Sequence, residues 1–296
     1  PRLPVVLGHQ VVVTVAALGE GAGRFRLGER VGIAWIFSAC GVCSFCRSEQ
    51  ENLCPEFRAT GRDAPGGYAS AVTVPEAFAY PIPSGLVDRE VAPLLCAGAI
   101  GYRSLRLSGL RDGQHLGLTG FGASAHLVLQ MVRRRFPSSG VFVFARSAKE
   151  RAFALELGAR WAGPSEDTSP TPLHAIIDTT PAWLPVREAL RNLRPGGRLV
   201  INAIRKEERD KAVLQDLSYP RDLWMEKEIK SVANVTRADV SQFLQLAAEL
   251  GLRPEVEEFP LEQANEALQA LRRGHVRGAK VLRIGAAPDL RNDLPA

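Results

Sequence analysis

Four cysteines crowd into fifteen positions, and that knot limits what the chain can become. Cys40-Gly41-Val42-Cys43-Ser44-Phe45-Cys46 is followed, after seven residues, by Cys54. Two residues separate each of the first three thiols, the spacing of thiolates that converge on one tetrahedral ion. A disulfide framework suits a small secreted chain, whereas this one has 296 residues and its cysteines lie in one cluster. A structural zinc on Cys40, Cys43, Cys46 and Cys54 is expected. Four thiolates close the coordination sphere, so such a site clamps a lobe and leaves no place for a substrate.

The length points to two domains. With 46% apolar and 23% charged residues, the composition is that of a soluble globular protein. No apolar run is long enough to span a bilayer, and no basic-then-apolar leader marks the chain for export. Clustered thiols without a leader predict a cytoplasmic protein with no membrane partner. The net charge of +5 is mild. The densest basic run, Arg133-Arg134-Arg135, reads as a solvated helix end rather than a nucleic-acid patch, so no nucleic-acid partner is expected.

The first hundred residues read as short strands separated by Gly and Pro, the pattern of a barrel-like β domain. Strands are expected over Val11–Leu18, Val31–Ile36, Tyr68–Val74 and Phe78–Ile82. His9, in Gly8-His9-Gln10, and Cys96, in Pro93-Leu94-Leu95-Cys96-Ala97-Gly98, are potential ligands of a second metal. By themselves a lone His and a lone Cys are more often packed residues.

From about Gly98 the pattern changes. Leu116-Gly117-Leu118-Thr119 feeds Gly120-Phe121-Gly122-Ala123-Ser124-Ala125, and apolar residues then recur at helical spacing. Strand, G-x-G-x-x-A turn and helix together make a dinucleotide fingerprint. Gly120 allows the tight turn, Gly122 lets backbone approach a pyrophosphate, and Ala123 and Ser124 complete the cradle at the helix N-terminus. After the next strand, Val141–Ala145, an NAD-preferring fold places an acid. This chain has Arg146-Ser147, which suits a 2′-phosphate and favours NADP(H) over NAD(H). Strands over Ala175–Asp178, Leu199–Ala203 and Ile229–Val232 alternate with helices, the pattern of a doubly wound parallel sheet. Thr236-Arg237-Ala238-Asp239 reads as a capping box at a helix start. Leu261–Arg273 reads as a helix stopped by Gly274, and Lys280–Ile284 as a closing strand. A flexible tail is expected over 286–296.

These motifs, in this order, resemble the zinc-containing medium-chain alcohol dehydrogenases. Gly8-His9-Gln10 is similar to that family's Gly-His-Glu, Cys40 to Cys54 to its structural zinc lobe, Cys96 to its late catalytic cysteine, and Gly120 to Ala125 to its cofactor turn. The run from Gly120 to His126 resembles a bacterial subgroup. The resemblance implies an α/β protein with a GroES-like catalytic domain (residues 1–99 and 236–285, zinc lobe 38–58) and a Rossmann domain (100–235). It implies a small alcohol or aldehyde as substrate and pairing into a homodimer or higher homo-oligomer. It also implies that His9 and Cys96 are two of three protein ligands to a catalytic zinc, which polarises the substrate oxygen while hydride passes to nicotinamide.

Two departures follow. The family's first catalytic cysteine precedes Gly-His-Glu, where this chain has only Pro1 to Leu7, and all five cysteines are already assigned. Gln10 replaces the glutamate. The expectation is an N-terminally truncated catalytic domain with a weak or empty catalytic zinc site. A zinc-free quinone or enone reductase of the same superfamily and a non-catalytic zinc module remain the alternatives. The substrate pocket is expected to draw on residues around Trp35, Phe57 and Tyr80.

Overall fold

The computed structural model describes residues 3–273 and 277–285. Gly274 and the tail from 286 lie outside the described residues. The chain forms two compact units. One takes the residues up to 99, then 235–249 and those from 253 onward; the other takes 100–234 with 250–252.

The first unit is built from short strands. Val11–Thr14 pairs antiparallel with Arg30–Ile33, which pairs antiparallel with Ala79–Pro81. Ile36–Ser38 pairs with Arg58–Ala59, and the closing pair, Val256–Pro260 with Ala279–Arg283, is parallel. The expected strand over Tyr68–Val74 is absent. Its entry, Gly66-Gly67, instead lies flat on the start of the chain. Gly66, Gly67 and Tyr68 donate backbone hydrogen bonds to the carbonyls of Val6, Gly8 and Leu7 at 2.8, 3.0 and 2.9 Å. A Cβ on Gly66 would stand 2.0 Å from the Gly8 carbonyl oxygen, so only glycine permits this approach. The backbone groups that would have made a ladder are spent on fixing the segment that carries His9.

The return helix, Arg237–Glu249, begins with the expected reciprocal cap. The Thr236 amide and hydroxyl both donate to Asp239 Oδ2 at 2.9 Å, and the Asp239 amide donates to Thr236 Oγ1 at 3.1 Å. The helix buries Val240, Phe243, Leu244 and Ala247, which recur at helical spacing.

The second unit carries a six-stranded parallel sheet. In space its strands run Glu228–Ser231, Leu193–Ile201, Leu173–Asp178, Leu116–Thr119, Val141–Phe144 and Trp161–Gly163. The chain fills one side of Leu116–Thr119 and then crosses to fill the other, so strand order reverses between Leu116–Thr119 and Leu173–Asp178. That is the Rossmann order, in which a dinucleotide lies across the carboxyl ends at the reversal. The inner strands are near-continuously apolar and buried, with Phe142, Phe144, Ile176 and Leu199 almost fully buried, whereas the edge strand Glu228–Ser231 is exposed. Trp161–Gly163 escaped sequence reading because three residues show no period. Pro195-Gly196-Gly197 lies within the strand Leu193–Ile201. Gly196 takes φ +68, and the ladder shifts register between Leu193 and Arg198. Arg133 and Arg134 sit at the expected helix end, but their guanidinium groups donate to the carbonyls of Leu157, Leu250 and Gly251. No described helix is long and apolar enough to cross a membrane.

Candidate metal centres and cofactor site

A single helical turn, Ser44–Arg47, and a tighter turn, Glu51–Leu53, bring Cys46 and Cys54 back towards Cys40 and Cys43. The four sulfurs all lie within 4.8 Å of one another. Cys40 Sγ is 3.9 Å from Cys46 Sγ and 3.6 Å from Cys54 Sγ. Zinc–sulfur bonds of about 2.3 Å in a tetrahedron put sulfurs roughly 3.8 Å apart, so the donor set fits that ion. Amide hydrogen bonds from Val42 and Cys43 pull the Cys40 thiol down to about 7, while burial pushes Cys46 up to about 12.

The lobe is tied to the return helix by an acid that the sequence did not flag. Glu51 is 2% exposed, and its Oε1 accepts from the Arg237 amide at 2.6 Å and from Arg237 Nε at 3.1 Å. Nothing in the spacing of Glu51-Asn52-Leu53-Cys54 singles this residue out.

His9 and Cys96, 87 residues apart, meet: His9 Nε2 is 3.3 Å from Cys96 Sγ. His9 is positioned by the Gly66-Gly67 contact and by Trp35, whose ring meets the imidazole edge-on at 4.9 Å. Cys96 sits in one π turn, Leu94–Gly98. That turn is pressed between two elements at positions where a Cβ would collide. At Gly32 it would stand 2.6 Å from Leu95, and at Gly98 it would stand 2.3 Å from Phe243. Burial lowers the His9 pKa to about 4, which leaves the imidazole neutral and its lone pair available to a metal. Burial raises Cys96 to about 11, opposed by a hydrogen bond from the Gln10 side chain. Tetrahedral zinc bonds to nitrogen and sulfur place the two donors roughly 3.5 Å apart, so this pair fits two corners of a site. Of the apolar residues expected around a substrate, Trp35 lies at the pair. Tyr80 does not serve there; it is 1% exposed and buried beside Glu51 and Arg237.

The glycine turn of the second unit is shaped for an anion. Gly120 takes φ +77, and a Cβ there would stand 2.9 Å from Thr179 Oγ1. A Cβ on Gly122 would meet nothing, so open space lies over that backbone. The helix Ala125–Arg135 starts without a side-chain cap, and Ser124 Oγ is buried with no hydrogen-bond partner among the described residues. Uncapped N–H groups beside the open space over Gly122 suit a pyrophosphate. Arg146 and Ser147 are exposed just past Val141–Phe144, at the carboxyl edge of the sheet.

The fold agrees with what the chain is similar to. Residues 1–84 match the alcohol dehydrogenase GroES-like domain, and residues 144–282 match the zinc-binding dehydrogenase family. The chain is 45% identical over 288 residues to a probable alcohol dehydrogenase of Mycobacterium tuberculosis (strain CDC 1551 / Oshkosh), covering 96% of this chain and 81% of that one. It is 32% identical to an alcohol dehydrogenase of Geobacillus stearothermophilus, covering 96% of this chain and 84% of that one. Among solved structures, a cinnamyl alcohol dehydrogenase of Sorghum bicolor superposes with a TM-score of 0.82 at 27% identity, covering 95% of this chain and 82% of that one. This is a nicotinamide-dependent oxidoreductase with a GroES-like and a Rossmann domain. The chain belongs to the zinc-containing medium-chain alcohol dehydrogenase family.

Proposed function

We propose that the chain is an NADP(H)-linked oxidoreductase of small alcohols or aldehydes, whose own side chains furnish two ligands to a catalytic zinc. The pairing of His9 Nε2 with Cys96 Sγ at 3.3 Å carries this reading, because nothing local in the sequence brings those residues together. A zinc ion there supplies Lewis acidity to the substrate oxygen, and the nicotinamide carries the hydride. His9 serves as a neutral donor, and Gln10 holds Cys96 by its amide. Four of the five cysteines form the lobe and the fifth is Cys96, so this sequence offers no further thiol for that ion.

Gly122, Ser124 and the start of the helix Ala125–Arg135 take the pyrophosphate. Arg146 and Ser147 face the 2′-phosphate, a charge-assisted contact that NAD(H) lacks.

Metal analysis after exhaustive dialysis tests the zinc reading. It predicts zinc retained in the four-thiolate lobe and released only on denaturation. A folded chain that dialysis strips of all its zinc would overturn the four-thiolate site.

A further inference from the structure

A buried ion pair lies at the carboxyl edge of the Rossmann sheet, beside the glycine turn. Asp178 ends the strand Leu173–Asp178 and is fully buried. Its Oδ1 accepts from Thr119 Oγ1 at 2.6 Å, Thr180 Oγ1 at 2.8 Å and the Thr180 amide at 3.3 Å, and its Oδ2 pairs with the Lys206 ammonium. Lys206 Nζ also donates to the carbonyls of Thr180 and Ala182 at 2.7 and 2.9 Å, so its three hydrogens are all engaged.

The lysine thereby fastens one loop to another. Residues 202–210 follow the strand Leu193–Ile201, and residues 179–183 follow Asp178. The Glu207 amide donates to the Pro181 carbonyl at 2.7 Å, and Asp210 Oδ2 accepts from the Trp183 and Leu184 amides at 2.9 and 2.8 Å. Thr179 donates to the Thr119 carbonyl at 2.9 Å and stands against Gly120. Lys206, through Asp178 and the two threonines, thus reaches the wall of the glycine turn.

In this strand order, the mononucleotide half on the first three strands takes the adenylate and the half on the last three takes the nicotinamide. Asp178 and Lys206 belong to the second half. A buried ion pair is a weak source of stability compared with apolar packing, so stability alone does not account for it. What the pair achieves is two loops held in one arrangement before a ligand arrives.

We propose that Lys206 is a positioning residue for the nicotinamide half of the cofactor: its ion pair with Asp178 pre-forms the wall made by residues 179–183 and 202–210. The proposal rests on the dinucleotide reading of the site. Its test compares two ligands by calorimetry, NADPH and 2′,5′-ADP, which keeps the adenylate half and lacks nicotinamide. Lys206→Met should weaken NADPH about tenfold and leave 2′,5′-ADP within about twofold. Should that variant fail to fold around an uncompensated carboxylate, the double variant Lys206→Met/Asp178→Asn removes both charges and decides the matter with the same comparison. Equal weakening of both ligands would show a merely structural role and overturn the proposal, as would unchanged NADPH affinity in a folded double variant. If the unaltered chain prefers NADH, the 2′-phosphate assignment falls, and NADH against 5′-AMP decides the role of Lys206 by the same criterion.

Discussion

Cys46→Ser is expected to empty the cysteine lobe of zinc and to unfold it. The lobe has little else to hold it, since its only regular elements are two single turns, Ser44–Arg47 and Glu51–Leu53. Sulfurs 3.6 to 3.9 Å apart are at the separation a tetrahedral ion imposes. Serine offers a neutral hydroxyl where a buried thiolate is needed. Loosening the lobe also withdraws Glu51 from the Arg237 amide, so the start of the return helix loses an acceptor. Loss of a structural metal is among the few single changes worth more than about 4 kcal/mol, which for a domain of this size lowers Tm by roughly 10 °C. Metal analysis and thermal unfolding check this together. A variant that keeps one zinc per chain and its parent's Tm would contradict the assignment.

Gly122→Ala is expected to fold normally and to lose the dinucleotide. Its Cβ would meet nothing, and its backbone is not left-handed, so stability should change by no more than about 0.5 kcal/mol. The methyl group would nevertheless occupy the space through which a pyrophosphate reaches the backbone. NADPH affinity should fall tenfold or more, while the melting curve stays in place. Gly120→Ala makes the contrast. There φ is +77 and the Cβ would press on Thr179 Oγ1 at 2.9 Å, so that variant should lose stability as well as cofactor. Undiminished NADPH binding by folded Gly122→Ala would remove the glycine turn from the cofactor site.

What could be read in the sequence was what lies close along the chain. The cysteine spacing, the strand Leu116–Thr119 running into Gly120, and the Thr236–Asp239 cap are each set within a few residues, and each stands where the spacing put it. Distance along the chain is what hid the rest. His9 and Cys96 are 87 residues apart, and only resemblance to a family suggested pairing them. Lys206 and Asp178 are separated by 28 residues and joined only by the parallel crossover between two strands. Tyr68–Val74 has β-branched composition yet forms no strand, because Gly66 and Gly67 commit its entry to the backbone of Val6 and Gly8. Composition records a preference for pleated surface, and tertiary contacts decide whether a partner strand exists.

A titration of the unaltered chain with NADPH and with NADH, followed by energy transfer from tryptophan, tests the cofactor site most directly. Trp161 and Trp183 both lie in the Rossmann unit and report on its occupancy. Saturable binding of NADPH at micromolar concentration, with NADH weaker by about tenfold for want of the 2′-phosphate, is the predicted result. Absence of transfer with either nucleotide at millimolar concentration would contradict it.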